Sequence, residues 1–202
     1  RTDNILPGEV EIGPNFLKVD NLFCRTMTVL NYPRFLSSGW LSPLINMPEI
    51  MDISMHISPA DTAIMLKTLR NRAAGLSTQL SEMESKGMMR DPLIETALRD
   101  IEALRDALQQ STEKLFSVSF YITIYANSPK ELNDLEEKVS SLLESQLLET
   151  KAPLFEQLKA FNSALPLSAD LIRSSVFLNT SPLSLFFPFD SIGLTADEGV
   201  LY

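Results

Sequence analysis

The chain has 202 residues, of which 45% are hydrophobic, so it can bury a sizeable core and does not have the composition of a disordered protein. A formal net charge of −9 argues against nucleic-acid binding as its main function, because phosphate contacts need clustered Lys and Arg. The densest apolar stretch, Leu183 to Phe189, contains Ser184 and Pro188 and is far shorter than the roughly 20 residues of a membrane-spanning helix.

The two ends of the chain and its one cysteine suggest its origin. Arg1 is not an initiator Met, and the other end carries an apolar patch followed by the strand-like Val200-Leu201-Tyr202. We therefore expect a piece cut from a longer protein. Cys24 cannot form an internal disulfide, which, with no secretory segment in view, favours a reducing, cytoplasmic setting.

The first half of the chain begins with strand signals. Apolar residues alternate with turn formers over residues 1–21, which predicts a small β-hairpin at the N-terminus. "LFCRTMTVLNY" predicts a longer strand, and the segment up to Asn46 has a short helical pattern broken by Gly39. In "EIMDISMHIS" apolar and polar residues alternate with a period of two, which predicts a second strand.

A long helical segment, residues 59–115, follows this strand. Ser58-Pro59 predicts a helix start with Ser58 as N-cap, and Asp91-Pro92 starts a second helix after a break at Lys86-Gly87. Each helix carries an apolar stripe of heptad spacing. The stripe residues are Leu66, Leu69, Ala73, Leu76, Leu80 and Met83 in the first helix, and Ile94, Ala97, Ile101, Leu104 and Leu108 in the second. We expect an antiparallel helical hairpin, called the arm below.

A third long strand comes next, with Val118, Phe120, Ile122 and Ile124 on one face. Ser128-Pro129-Lys130-Glu131 is a capping box that opens an amphipathic helix. A short strand at 148–151 and a helix led by Pro153 complete the compact part. Without the arm, the order is that of a ferredoxin-like, split βαβ α+β sandwich. We thus predict this fold for residues 22–165, with the arm inserted between its two central strands, and a connector at 166–202.

The residues that usually carry chemistry are sparse. The seven glycines form neither phosphate-binding loop motif, and one Cys with one His cannot supply a zinc site. His56 and Asp52 share the polar face of a predicted strand, so a hydrolase using this acid-base pair is one hypothesis, although it lacks a nucleophile. The simpler interpretation of His56 is a surface or interfacial histidine.

Two segments are our candidates for contact surfaces. The first is the tip of the arm, Lys86, Gly87, Met88, Met89 and Arg90. The second is the apolar part of the connector, Leu183, Leu185, Phe186, Phe187 and Phe189. The arm lies flat over the sheet as a second layer in one interpretation and projects as a lever toward a partner in the other. An intact protein does not leave the connector residues in water, so we expect them to pack against another surface.

Three stretches resemble a known family: "GEVEIGPNFLKVDNLFCRTMTVLNYPRFLSSGWLSPLIN", "FNSALPL" and "FLNTSPLSLFFPF". They are similar to the N-terminal region of the conjugative type IV secretion ATPases of the TraC and TrbE class. The most specific parts are "RTMTVLNYPR" with "GWLSPLI" at the entrance and "ALPL" with "FFPF" at the exit. The likeness extends over nearly the whole chain.

The resemblance implies a function and a setting. In that family such a domain precedes a RecA-like motor of the HerA type, so ATP and Mg²⁺ would bind beyond Tyr202 and this chain would hold no active site. The implied role is non-catalytic docking and assembly at the cytoplasmic face of the inner membrane. Partners would be the chain's own C-terminal ATPase domain, neighbouring subunits and secretion-channel proteins, with no direct nucleic-acid binding. The alternative is a stand-alone coiled-coil adaptor without a motor.

Overall fold

The computed structural model describes residues 8–33 and 35–186, and all structural statements below refer to these. In this part of the chain an antiparallel sheet of seven strands combines with six helices in a mixed α+β fold. The strands are β1 (Val10–Ile12), β2 (Leu17–Val19), β3 (Leu22–Asn31), β4 (Met51–Pro59), β5 (Leu115–Ala126), β6 (Glu149–Lys151) and β7 (Val176–Asn179). The helices are α1 (Ser42–Ile45), α2 (Thr62–Ser85), α3 (Pro92–Gln109), α4 (Pro129–Glu144), α5 (Gln157–Ala164) and α6 (Thr180–Ser184).

The main path of the sheet has the strand order β1-β2-β3-β5-β4. The first two strands form the antiparallel hairpin that the alternation near the N-terminus predicted. Two further strands lie off this path, because β6 pairs with β3 and β7 pairs with β5. The strand β7 and the helix α6 have no counterpart in our sequence prediction.

The chain divides into two compact units. Among the described residues, the first contains everything up to Ile57, Val118–Val176 and the part from Pro182 onward. The second contains Ser58–Ser117 and Phe177–Ser181, and so includes both helices of the arm.

Strand β5 is buried on both faces in the first unit. We expected one apolar face, yet Tyr121 and Thr123 on the opposite face are also fully buried, like Phe120 and Ile122. When both faces of a sheet are covered, a strand in its middle is buried on both sides. Its side chains on each face must then be apolar or hydrogen-bonded inside the protein. Thr123 meets this need through its hydroxyl, which lies 2.9 Å from the Thr26 hydroxyl of β3.

A buried guanidinium joins three parts of the first unit. Arg25 of β3 is 3% exposed. Its Nε donates to the Asn15 carbonyl in the loop between β1 and β2, at 2.6 Å. Its other nitrogens donate to two side chains of α4, the carboxylate of Glu136 and the amide oxygen of Asn133. A buried charge is tolerated only with such partners, and Arg25 therefore links the hairpin, the sheet and α4.

A side chain fills a gap in the pairing of β3. One edge of β3 pairs with β2 through Leu22–Cys24 and with β6 through Thr28–Asn31, which leaves the backbone of Thr26 without a strand partner on that edge. The Gln157 amide of α5 takes that place, because its oxygen accepts from Thr26 N at 2.8 Å and its nitrogen donates to Thr26 O at 3.2 Å. Gln157 is 1% exposed. It thus satisfies two buried backbone groups that otherwise have no partner.

The arm of the second unit has the two predicted helices, α2 and α3, which pack against each other. The start of α2 differs from our prediction, since its N-cap is Asp61 and not Ser58. The Asp61 carboxylate accepts from Ala63 N and Ile64 N, while Ser58 and Pro59 complete β4. Ser and Asp are both common N-cap residues, and here Asp61, which follows the strand, caps the helix. Helix α3 starts as expected, with Asp91 as N-cap and Pro92 in the first turn.

The later helices of the first unit follow the prediction in part. The hydroxyl of Ser128 accepts from Glu131 N, as the capping box requires, and α4 buries Leu132, Leu135, Val139 and Leu143. Helix α5 begins only at Gln157. Leu154 and Phe155, which we had counted in its apolar stripe, lie before it and are 58% and 79% exposed. Phe155 has a positive φ of 60°, which no helical residue adopts.

Replacing Gln157 by Leu should destabilise the first unit strongly. The leucine is similar in volume but leaves Thr26 N and Thr26 O buried without a partner, at about 1–3 kcal/mol for each group. Chemical denaturation of the chain would measure the loss. Gln79→Leu on the exposed side of α2 is the matched control and should change the free energy of unfolding by less than about 0.5 kcal/mol. Equal stability of the two variants would contradict the bridging role of Gln157.

Candidate interaction sites

Asp52 and His56 of β4 do not form an acid-base pair. The Asp52 carboxylate accepts a hydrogen bond from the Tyr125 hydroxyl at 2.5 Å, whereas His56 Nε2 lies 2.7 Å from the Ser163 carbonyl of α5. Since a carbonyl can only accept, Nε2 carries the proton and donates. Four residues along a strand separate the two side chains by about 13 Å. The hydrolase hypothesis therefore lacks the pair on which it depended.

His56 instead borders a polar cluster formed by β5 and the segment after α5. Its ring meets the Tyr121 ring edge-on, with centroids 5.8 Å apart. The carboxylate of Asp170 accepts from the hydroxyls of Ser119 and Tyr121, at 2.6 and 2.5 Å, and from Arg173 N at 2.8 Å. These bonds tie the segment after α5 to the sheet. No periodicity in the sequence "SALPLSADLIRSS" indicated this role for Asp170.

The cluster alters the acidity of its two ionisable members. Burial by itself raises the pKa of Asp170, but the hydrogen bonds from Ser119, Tyr121 and Arg173 N outweigh it and hold the pKa below its usual value. Burial, and then the neighbouring Asp170, raise the pKa of the Tyr121 hydroxyl. At neutral pH the pair is therefore a carboxylate and a neutral phenol that donates to it.

A groove of about 570 Å³ runs along β4 in the first unit. One wall is formed by the six consecutive residues 51–56, and the other by Ala164, Leu165, Pro166 and Ser168. Successive side chains of a strand point to opposite faces of its sheet. The groove therefore follows β4 over these six residues, with the segment just after Ser163 on its other side.

The tip of the arm is a fixed turn. Gly87 has a φ of +68°, its N–H donates to the Glu84 carbonyl, and Met88 N donates to the Met83 carbonyl. These two bonds make a Schellman motif, in which glycine takes the left-handed conformation at low cost. Lys86 is the last residue before this glycine and caps α2 through its N–H.

Arg90 ties the two helices together across the turn. Its Nε lies 2.6 Å from the Glu84 carboxylate at the end of α2, and its Nη1 lies 3.3 Å from Glu95 in the first turn of α3. Beside it, Met88 and Met89 are 57% and 92% exposed, and Leu93 is 79% exposed. We call these three residues the tip knob. The tip knob presents two flexible methionine side chains and one branched leucine side chain. The Schellman motif and the ion pairs of Arg90 hold its backbone.

The heptad stripes of α2 and α3 pack inside the arm. Their residues are the less exposed ones of each helix, and Ala73, Leu80 and Leu108 are fully buried. The two stripes thus cover each other, as in an antiparallel coiled-coil pair. The apolar surface that the arm offers to a partner is the tip knob together with scattered residues such as Ile64, 63% exposed.

The connector residues separate into three groups. Leu183 and Leu185 are half-buried, and Phe187 and Phe189 lie outside the described residues. Phe186, which we expected on a contact surface, is instead 3% exposed in the core of the first unit. Its ring packs against Trp40 at 5.0 Å and Tyr32 at 5.4 Å between centroids, with Phe120 of β5 at 6.3 Å. Aromatic side chains of the first unit thus bury the Phe186 ring, and its burial requires no partner protein.

In comparisons with known proteins, no family model and no curated protein matches the chain. Within residues 8–33 and 35–186, no helix combines the length and the apolar character needed to cross a membrane. In the same ranges, no three side chains of His, Cys, Asp or Glu converge in a way that would hold a metal ion.

Phe186→Ser should lower the stability of the first unit by about 3–5 kcal/mol, because it removes a buried aromatic ring and leaves a cavity lined by Trp40 and Tyr32. The midpoint of thermal unfolding, followed by circular dichroism, measures this. Phe155→Ser is the matched control, as Phe155 is 79% exposed. If Phe186→Ser melts like the wild type and only improves solubility, Phe186 belongs to a contact surface after all.

Asp170→Asn should destabilise the chain by about 1–2 kcal/mol at pH 7, because the charged acceptor of two hydroxyl hydrogen bonds is lost. The pKa of Asp170 is lower in the folded than in the unfolded chain, where it is about 3.9. Its stabilising effect is therefore present above that value and is lost as pH falls through the folded-state pKa. Denaturation at pH 7 and pH 3 should show the difference between variant and wild type shrinking at pH 3; a pH-independent difference would contradict this.

Proposed function

We propose that the chain is a non-catalytic docking and assembly domain of a conjugative type IV secretion ATPase, as the resemblance in its sequence implies. The observation that carries the docking role is the tip knob. Soluble proteins expose single apolar residues freely, but three neighbouring ones on a turn fixed by a Schellman motif and by Arg90 are typical of a contact surface.

The chemistry of the chain favours docking over catalysis within the described residues. Asp52 and His56 each bond to a different neighbour. The hydroxyl of Ser163, the residue whose carbonyl bonds His56, donates to the Lys159 carbonyl and accepts from Leu171 N. Each of these polar groups has a local structural partner. The proposed role therefore depends on surfaces, and a motor domain would supply ATP and Mg²⁺ binding in the parent protein.

We also propose that the first unit has the split βαβ arrangement of ferredoxin-like domains, with the arm inserted between β4 and β5. The pairing supports this proposal, since β3 lies between β6 and β5, and β4 lies beside β5. Helices α1 and α4 follow β3 and β5 in the chain, as that arrangement requires.

The proposed partners of the tip knob are proteins of the inner-membrane secretion channel. The turn presents methionines, whose unbranched side chains adapt to irregular apolar pockets. Lys86 and Arg90 flank them, so the rim of the contact is polar, as in ordinary protein interfaces. The connector, residues 166–202, would lead into the chain's own ATPase domain, with neighbouring subunits as further contacts.

A photo-crosslinking amino acid at position 89 tests this in the cells from which the gene comes. Met89 is 92% exposed on a fixed turn, so the probe should crosslink to an inner-membrane protein of the transfer apparatus. The joint variant Met88→Glu with Met89→Glu should lower the frequency of DNA transfer at least about tenfold, because it puts charge in an apolar contact.

The same probe at Gln79, an exposed residue of α2 away from the turn, is the control and should give no such product. Crosslinks from position 89 only to soluble proteins, with unchanged transfer in the double variant, would contradict the docking role. A parent gene without a P-loop motif after codon 202 would contradict the assignment to a secretion ATPase and favour the adaptor.

A further inference from the structure

Strand β4 ends the main path of the sheet and pairs only with β5 in the described part of the chain. The 570 Å³ groove follows its residues 51–56 and has residues 164–168 on its other side. The backbone N–H and C=O groups on the outer edge of such a strand form a template for a further strand.

The sequence of β4 carries little protection against such pairing. Edge strands are usually blunted by lysine, by an inward charge or by proline inside the strand. The stretch 51–57, "MDISMHI", contains no Lys, Arg or Pro, and its one acid, Asp52, accepts a hydrogen bond from Tyr125. Proline occurs only at the end of the strand, at Pro59.

The same stretch is complementary to itself when reversed. In an antiparallel pair centred on Ser54, residue i faces residue 108 − i of the other copy. Met51 then faces Ile57, and Ile53 faces Met55, so apolar side chains meet apolar ones on one face. On the other face Asp52 meets His56, so the one acid of the stretch does not face a second acid. Cross-strand pairs of these kinds stabilise a sheet, whereas like charges directly opposite destabilise it.

We infer that β4 is a homodimer interface, at which a second copy of this chain adds its own β4 antiparallel and in the register centred on Ser54. A two-fold axis through Ser54 makes the contact isologous and closed, so it gives a dimer and no filament. The net charge of −9 on each copy opposes association at low salt, so physiological or higher ionic strength favours the dimer.

The register can be tested by disulfide formation in the full chain. Residues directly opposite on antiparallel strands have Cβ atoms about 4.5–5.5 Å apart, close to the span of a disulfide. The double variant Met51→Cys with Ile57→Cys should therefore form a covalent dimer under mild oxidation, seen on a non-reducing gel. Native Cys24 is buried and does not compete.

The single variants Met51→Cys and Ile57→Cys are the controls. In the proposed register, identical positions of the two copies lie about 20 Å apart, because six residues separate them along the strand. Neither single variant should crosslink. Single variants that crosslink as readily as the double variant would indicate random collision or another register and would overturn the proposal.

Sedimentation velocity gives an independent test without new cysteines. The apparent mass of the wild type should rise from 22.6 kDa toward twice that value as concentration increases. Ile57→Lys should raise the dimer dissociation constant at least about tenfold, since an edge lysine opposes strand addition. Phe155→Lys, at a residue outside β4 and the tip knob that is 79% exposed, should leave the dimer dissociation constant unchanged.

A wild type that stays monomeric at every concentration, with no crosslink in the double variant, would overturn the dimer and leave the edge of β4 to a strand from another protein. The inference does not rest on the proposed function. Position 89 is outside β4, so the crosslinking test of the tip knob succeeds or fails independently of this one.

Discussion

The first unit depends on how the buried polar groups of β3 are satisfied. Arg25 places a full charge at 3% exposure, and it is stable there only because Asn15, Asn133 and Glu136 supply acceptors from a loop and a helix. Removing one partner of such a charge typically costs about 3–5 kcal/mol. The hairpin and α4 are thereby fixed to the sheet by chemistry that a purely apolar core would not specify.

The same principle explains why α5 and the segment after it belong to the domain. Gln157 replaces a missing strand at Thr26, and Asp170 collects hydrogen bonds from Ser119 and Tyr121. These bonds hold the two segments through backbone groups and hydroxyls that would be costly to bury alone. The surfaces that we propose for function are the tip knob of the arm and the outer edge of β4, which has no strand partner in the described part of the chain. The tip knob is held by the capped turn between α2 and α3, and β4 is a regular strand, so each surface has a defined geometry.

Much of the local structure could be predicted from the sequence, because it depends on neighbouring residues. Capping at Ser128 and Asp91, the heptad stripes of the arm and the period of two in β4 are short-range signals, and the structure contains all of these elements. Errors occurred where two local signals competed. Asp61, and not Ser58, is the N-cap of α2, and Phe155 lies outside the helix in which its spacing had placed it. The burial of Phe186 in the core could not be predicted from the sequence, because apolar character alone does not distinguish a core residue from an interface residue.

The sequence by itself determined the kind and order of most elements, the acidic surface and the position of the turn at Gly87, because these follow from propensity, periodicity and charge along the chain. Only the tertiary structure decided which polar groups meet. Asp170 and Tyr121 are 49 residues apart, and Gln157 and Thr26 are 131 residues apart. No local pattern encodes such contacts, since they form only when folding brings distant segments together and the cost of burying a polar group selects its partner.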